Sequence, residues 1–560
     1  MQGQDEEETV TPKRSRIQRL LAACFEAIRI RIVGFCRPRS WGQRHAWMLA
    51  FFALACLSLG LIWLPPLPPF VDSPSVAYSG MVLHALQKGD PFFSSWYEAR
   101  PGAVSHLAFY RLFGLLLNVL SPVHAIKLTV SVVVLALPLG MRSLLRAMGR
   151  SEWLCLAGFA LAFNLQLAMG YLPFLLAIPL LPLCLAWVEN NAKGMRWWRV
   201  VALILTLSVS PFFHLLITPV LFACVGLWVV LSQHSFRRVA YHGAAMTVAF
   251  AAVIWLVPKP RTPLPAHVSQ AMGTLSLSEH LDHFDGDFLN WTINGWDALS
   301  TPLFFAAVIA TISLTSVIGR PTESQSLWRR FCEYRAEIMA ALMFAGYMAS
   351  PTSVHYPWVA WSIDTRLTVF VGMFLVMVPR AVPATMRQAL RMAPILVFSF
   401  FHLFSLVGPF RAFAHATRGL VEVSHSIPSH SIVLPVFSHE YMQDAKRWRF
   451  HGFHGFINQH LVRWSAVLST SLQPYSFCDL PFHPLICTQQ LPMPGARNPM
   501  PGLSAHAKNY EYVVMLTNQP DKQREHLRLI EKQGFEKMSE SGDWTLWKRK
   551  TEANQTKTEK

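Results

Sequence analysis

Residues 46–75 read AWMLAFFALACLSLGLIWLPPLPPFVDSPS, and the junction inside this stretch decides the fold. The first part, 46–64, carries no charged side chain and is long enough for a helix to cross the ~30 Å hydrocarbon layer of a bilayer. Pro65, Pro66, Pro68 and Pro69 follow at once; each fixes φ and lacks an amide hydrogen, so together they end the helix and dictate the path of what comes next. What comes next is an acid, Asp72. A carboxylate held by stiff backbone at the edge of a membrane is costly to keep there without a role.

The pattern of the opening stretch recurs. Of 560 residues, 52% are apolar and only 14% charged, and apolar runs of spanning length return along the chain. They predict helices at 46–64, 125–147, 152–169, 171–188, 199–212, 215–232, 239–257, 298–318, 337–350, 366–379 and 392–409. The fold class is therefore an α-helical polytopic membrane bundle of about 11 transmembrane helices. A net charge of +17 would suit a nucleic-acid partner, but the basic residues sit in short clusters between apolar runs, so the charge reports topology and no nucleic acid is implied.

With the N-terminus inside, roughly two dozen Lys and Arg fall in the segments 1–45, 148–151, 189–198, 233–238, 319–336 and 380–391 and the helix ends beside them. About half a dozen fall in the opposite loops before residue 410. That bias predicts a multi-pass protein of the inner (cytoplasmic) membrane, with the N-terminus cytoplasmic and the C-terminus periplasmic or otherwise extracytoplasmic. The arm 1–45 mixes Lys13, Arg14, Arg16, Arg19, Arg29 and Arg31 with apolar residues, which suits either a helix lying on an anionic leaflet or a disordered arm that enforces orientation. No cleavable signal is evident, because the first long apolar run starts late and lacks a small-residue cleavage site.

The transmembrane domain spans 46–409 and carries two long external loops, 65–124 and 258–297. Within the first, 75–89 and 104–120 are long enough to be helices but hold His84, Lys88, His106 and Arg111, so they are expected to lie along the interface as amphipathic juxtamembrane helices. Beyond 410 the pattern becomes that of a small soluble α/β domain, 410–550. Short strands are expected at 431–437, 512–516 and 543–548 (DWTLWK), with a helix at 523–533. The tail 551–560 is polar and expected to be disordered. Of nine cysteines, only Cys478 and Cys487 lie in this domain, where an oxidising compartment permits a disulfide; two free thiols are the alternative.

This arrangement resembles the GT-C superfamily of integral-membrane glycosyltransferases. In its aminoarabinose- and mannose-transferring members, the first external loop opens with an acid and continues to an aromatic, acid, basic, proline element before the second juxtamembrane helix. The matching residues here are Asp72 and then Trp96, Tyr97, Glu98, Arg100 and Pro101 in SSWYEARPG (94–102). The resemblance implies a sugar donor carried on polyprenyl phosphate, and transfer outside the cytoplasm to a lipid, glycan or protein acceptor. It also implies Asp72 and Glu98 as the catalytic carboxylates. Such chemistry needs a base for the acceptor hydroxyl, or a carboxylate holding a divalent cation (Mg or Mn) against the departing phosphate; the sequence leaves both roles open for Asp72.

The departing phosphate also needs fixed positive charge. Arg100 lies in the loop element, and Arg366 at the expected external entrance of a span in WSIDTRLTVF (361–370); guanidinium offers phosphate a planar fork of donors. An interfacial snorkelling residue or a partner for Asp364 is the plainer reading of Arg366. His106, His214 in SPFFHLL (210–216) and His355 in PTSVHYPW (351–358) are expected at the same surface as donor-phosphate ligands, against the plainer reading of hydrogen-bonded structural histidines. In the second external loop, SEHLDHFDGDFLNW (278–291) gathers His280, Asp282, His283, Asp285 and Asp287, but the spacing matches no established metal site. A solvated loop or a lid is the better reading there, with Trp291 and Trp296 as interfacial anchors.

No P-loop, HExxH or paired CxxC occurs, so ATP hydrolysis, zinc proteolysis and thiol redox chemistry have no support. Two other functional classes compete with glycosyl transfer. One is a transporter or flippase of a lipid-linked glycan, although the expected spans are almost free of internal acids. The other is a non-catalytic assembly partner in envelope polysaccharide synthesis.

Overall fold

The computed structural model describes residues 41–100, 105–233, 235–257, 274–291, 295–316, 332–354, 360–380, 383, 385–436, 460–474, 483–489, 491, 506–516 and 527–550. Most of the basic arm, the start of the second long loop, His355, Cys478 and the polar tail lie outside the described residues.

Six described helices are long and apolar enough to cross a membrane: Gly42–Trp63, Pro122–Met148, Leu172–Lys193, Phe236–Leu256, Trp296–Ser316 and Met386–His425. The other five expected spans are helical but shorter. Four of them are Glu152–Ala168, Trp197–Phe213, Ile217–Ser232 and Thr365–Val376, and the fifth is Arg335–Ala349. A 17-residue helix such as Trp197–Phe213 reaches about 25 Å, slightly less than the hydrocarbon layer. Their shortness has local causes. Phe163 leaves helical geometry and Asn164 caps a fresh turn, its side chain accepting the Leu167 amide at 3.1 Å, so the 152–168 segment is broken. The outward apolar side chains mark the lipid-facing side: on Phe236–Leu256, Val248, Phe250, Ile254 and Trp255 are all exposed, as expected of a helix solvated by hydrocarbon.

The first long loop does not lie on the interface as a pair of equivalent helices. Helix Ser73–Gln87 is buried over its first three turns, because helices Leu107–Leu116 and Pro122–Met148 pack on it and the segment around Trp464–Leu468 from the C-terminal domain covers it. Helix Leu107–Leu116 keeps an exposed edge, with Arg111 and Leu115 open, which fits an interfacial position. Between them, strand β1 (Tyr97–Ala99) leaves the loop to join the distant domain.

The C-terminal domain is built on a mixed four-stranded sheet. With β2 (Ser353–Val354) and β3 (Ala360–Trp361) forming a small separate hairpin, the main sheet uses β4 (Val433–Val436), β6 (Tyr512–Leu516), β7 (Phe535–Ser541) and β8 (Trp544–Arg549). Its order is β4-β6-β8-β7, parallel between β4 and β6 and antiparallel elsewhere. Three strands fall where apolar runs predict them; β7 has no such signal, because only Phe535 of it is buried and Glu536, Lys537, Met538 and Glu540 are exposed. Residues 527–532 are helical, inside the expected 523–533. A separate strand, β5 (Leu485–Cys487), pairs antiparallel with β1, Glu98 opposite Ile486. Cys487 is disulfide-bonded.

Helix Val407–His425 mounts this sheet on the bundle. It follows helix Ala393–Ser405 with only Leu406 between, and its far half receives the β7–β8 turn: Trp544 Nε1 donates to the Ala416 carbonyl at 2.8 Å. The approach is closest at Gly419, where a Cβ would stand 2.1 Å from the Ser541 carbonyl oxygen. Backbone is what it would meet, so neither side can yield cheaply. Gly419→Ala is expected to cost about 2 kcal/mol and make the C-terminal domain protease-sensitive, as read by melting and limited trypsin digestion. Gly408→Ala, with nothing within 4 Å of the added carbon, is the control that leaves both unchanged.

Candidate functional site

Asp72 caps the start of helix Ser73–Gln87, but its side chain does not bond the helix amides, so the carboxylate is turned elsewhere. Its backbone is pinned by a neighbouring turn: the Val71 amide donates to the Ala168 carbonyl at 2.9 Å and the Asp72 amide to the Met169 carbonyl at 3.0 Å. The turn ends at Gly170 with φ +77°, and a Cβ there would stand 2.8 Å from the Asp72 nitrogen. Only glycine allows both the left-handed backbone and the close approach.

The same turn organises the surroundings. Gln166 Nε2 donates to the Thr365 carbonyl at 2.8 Å, holding the residue before Arg366, and the Tyr171 hydroxyl meets Ser362 Oγ at 3.2 Å. The buried Arg366 guanidinium packs over the Tyr171 ring at 4.3 Å and near Phe174 at 5.4 Å. Its Nη1 lies 3.1 Å from His214 Nε2. His214 sits where helix Trp197–Phe213 ends, and its Nδ1 accepts the Leu216 amide at 3.2 Å. The His106 ring lies 4.9 Å from that of His214, on backbone with φ 66°, a conformation rarely adopted by a residue with a Cβ. Burial, then Arg366, push His106 down to about 3 and His214 well below the ordinary imidazole value, so both rings are neutral.

The C-terminal domain supplies the other wall. Arg463 Nη1 donates to Ser75 Oγ at 2.8 Å, and His460 Nδ1 lies 3.2 Å from Asp72 Oδ1, at contact distance but without hydrogen-bond alignment. His483 Nε2 meets Ser79 Oγ at 3.1 Å one turn further along the same helix. Burial pushes the Asp72 carboxyl up to about 6, against the pull of Arg463 and Arg366. His460 is held well below the ordinary imidazole value, by burial first and then by Arg463.

Of the residues singled out in the sequence, Asp72, Arg366, His214 and His106 thus converge. Glu98 is exposed on β1. Arg100 holds the chain that carries His483: its Nε donates to the His483 carbonyl at 2.8 Å and its amide to the Pro484 carbonyl at 2.8 Å. His355 lies outside the described residues. Asp364 turns away from Arg366 towards His280, whose Nε2 is 3.6 Å from Asp364 Oδ2. His280 and Asp287 lie on helix Leu277–Phe288, where the Tyr347 hydroxyl donates to Asp287 Oδ2 at 2.9 Å; Asp282, His283 and Asp285 are exposed on the same helix. Among the described residues, no group of three or more His, Cys, Asp or Glu side chains is arranged to hold a metal ion. Sequence reading missed His460, Arg463 and His483, which occupy a His- and Pro-rich stretch with no strand or helix periodicity.

No family model matches the chain, and no curated protein matches it. Similar solved structures include the cryo-EM structure of the arabinofuranosyltransferase AftD from Mycobacteria, at 14% identity and TM-score 0.47 over 90% of this chain. This chain spans 40% of that protein's length. ArnT from Cupriavidus metallidurans is similar when bound to undecaprenyl phosphate, at 12% identity and TM-score 0.48, covering 91% of this chain and 98% of ArnT. In the apo state it matches at 13% identity and TM-score 0.49, covering 90% and 98%. At these scores the likenesses carry no argument about fold family or chemistry.

Proposed function

We propose that the chain is a membrane glycosyltransferase that moves a sugar from a polyprenyl-phosphate donor to an acceptor hydroxyl, with Asp72 as general base. The reaction is read as occurring on the face that carries the C-terminal domain, which the Lys and Arg bias supports as extracytoplasmic. The observation that carries the reading is a single carboxylate with its proton affinity raised towards neutrality, fixed by backbone bonds, beside two guanidinium groups. A base works best when its pKa lies near the working pH. The acceptor O–H bond breaks, its proton goes to Asp72, the oxygen bonds to the sugar's anomeric carbon, and the carbon–oxygen bond to phosphate breaks with its electron pair leaving on the phosphate.

The Arg366–His214 contact supports an anion at this place. A neutral imidazole has one N–H; with Nδ1 accepting the Leu216 amide, the hydrogen belongs on Nε2, which then faces a guanidinium N–H at 3.1 Å. Two donors pointed at each other want a shared acceptor, and a phosphate oxygen is one. Two cationic neighbours are poor company for a dication, so the residues around Asp72 do not fit a Mg or Mn ion, and the carboxylate is read as the base.

The test is transfer by the purified protein from a panel of polyprenyl-phosphate sugars, with and without divalent cation and with Asp72→Asn alongside. Transfer by wild type alone supports the reading; equal transfer by Asp72→Asn defeats it. Arg366→Lys keeps the charge but loses the planar fork and the packing over Tyr171, and is expected to raise the donor KM about tenfold to a hundredfold, with a smaller change in kcat.

A further inference from the structure

The two elements that meet over Asp72 share a spacing. Asp72 and Ser75 stand three apart at the start of helix Ser73–Gln87; His460 and Arg463 stand three apart at the entry to helix Trp464–Leu468, where the Arg463 amide bonds the His460 carbonyl at 3.0 Å. Arg463 is fixed on Ser75, and the same turn brings His460 onto Asp72. The histidine side chain is 12% exposed, and its Nδ1 has no hydrogen-bond partner among the described residues.

We propose that His460 is a positioning residue for Asp72, its Nδ1–H donating to Oδ1 so that the free oxygen, Oδ2, is aimed at the acceptor hydroxyl. The proposal rests on Asp72 acting as the base. Arg463 beside the ring disfavours a second positive charge, so the imidazole acts as a neutral donor. A small rotation of the ring converts the 3.2 Å contact into an aligned bond. The donor favours the ionised carboxylate, opposing the burial that raises its proton affinity. The other groups facing Asp72 are Arg463 from the C-terminal domain, Arg366, the buried phenol of Tyr110 and the half-buried phenol of Tyr171; His460 itself faces Arg463 and Asp72.

The test compares His460→Leu, which removes the donor and keeps water out, with His460→Asn, whose amide places an N–H where Nδ1 stands. Two readouts are used: the acid limb of the pH profile of kcat/KM, and the Asp72 carboxyl band in pH-difference infrared spectra, assigned by its loss in Asp72→Asn. His460→Leu is expected to move the limb and the infrared midpoint up by about one pH unit and lower kcat about tenfold to a hundredfold. His460→Asn is expected to restore both to within a few tenths of a unit. Coincident profiles for the two variants, or no displacement in either, would overturn the proposal. The infrared titration needs no turnover. If wild type transfers no sugar, a midpoint that moves in His460→Leu and returns in His460→Asn still establishes the pair, while the catalytic reading of Asp72 falls by itself.

Discussion

Asp72→Asn is expected to abolish sugar transfer by about a thousandfold while leaving the protein as stable as wild type or more so. The amide keeps the shape of the side chain and its place beside His460 but cannot take a proton. The stability half follows from the sign of the shift. The folded carboxyl, raised to about 6 from 3.8, binds its proton more tightly than the unfolded one. Folding is therefore unaffected by this group below the unfolded value, and loses stability as pH rises through the window up to the folded value. Above it the ionised carboxylate costs on the order of 2 kcal/mol, a figure reduced because the side chain remains 23% exposed. Melting at pH 8 should rise in Asp72→Asn and the difference should vanish near pH 4. Wild-type kcat/KM should fall as pH drops below about 6, with unit slope. A variant that transfers normally, or one that melts lower than wild type at pH 8, contradicts the assignment.

The second large effect is expected at a residue with no side chain of its own, behind the Asp72 backbone. Gly170→Ala places a Cβ against the Asp72 and Ser73 amides, where it would stand 2.8 and 3.0 Å from their nitrogens, on backbone whose φ of +77° already disfavours it. The segment 70–72 must move away from the Ala168 and Met169 carbonyls, taking the carboxylate with it. A displacement of about 1 Å at a reacting group is enough for a hundredfold fall in kcat. Gly149 is the control: it has a similar φ of +71° with nothing within 4 Å, so Gly149→Ala is expected to cost about 1 kcal/mol of stability and no activity. Equal effects from both variants would show that dihedral strain alone, and not the support of Asp72, sets the outcome.

Arg366 and His214 were legible because each lies at the end of an apolar run, Asp72 because the prolines stiffen the chain just beyond one, and His106 because it opens the second juxtamembrane helix; charge bias puts those places on one side, which leaves the side chains little room to be anywhere else. Residues 164–171 were not legible as a hub, since LQLAMGY reads as the close of a helix until Asn164 is seen to cap a new turn. His460 and Arg463 were beyond local reading altogether. Arg463 reaches Ser75 across 388 residues, and nothing in its neighbourhood has a period that would announce the contact. Glu98 and Arg100 fall at the other extreme: their spacing pointed to a loop motif, whereas the chain there pairs as β1 with β5, which leaves Glu98 on an open edge and commits Arg100 to carbonyl oxygens.

The run Met386–His425 covers 40 residues, interrupted at Leu406, with a contour of about 60 Å, or twice the depth of the hydrocarbon layer. Its upper half is a stalk bolted to the sheet at Gly419 and Trp544, so the headroom between the C-terminal domain and the bilayer midplane is written into the polypeptide. Since His460 and Arg463 hang from that domain, the thickness of the surrounding lipid has to match the stalk, and acyl-chain length becomes one of the variables that decide whether the two halves of the site meet.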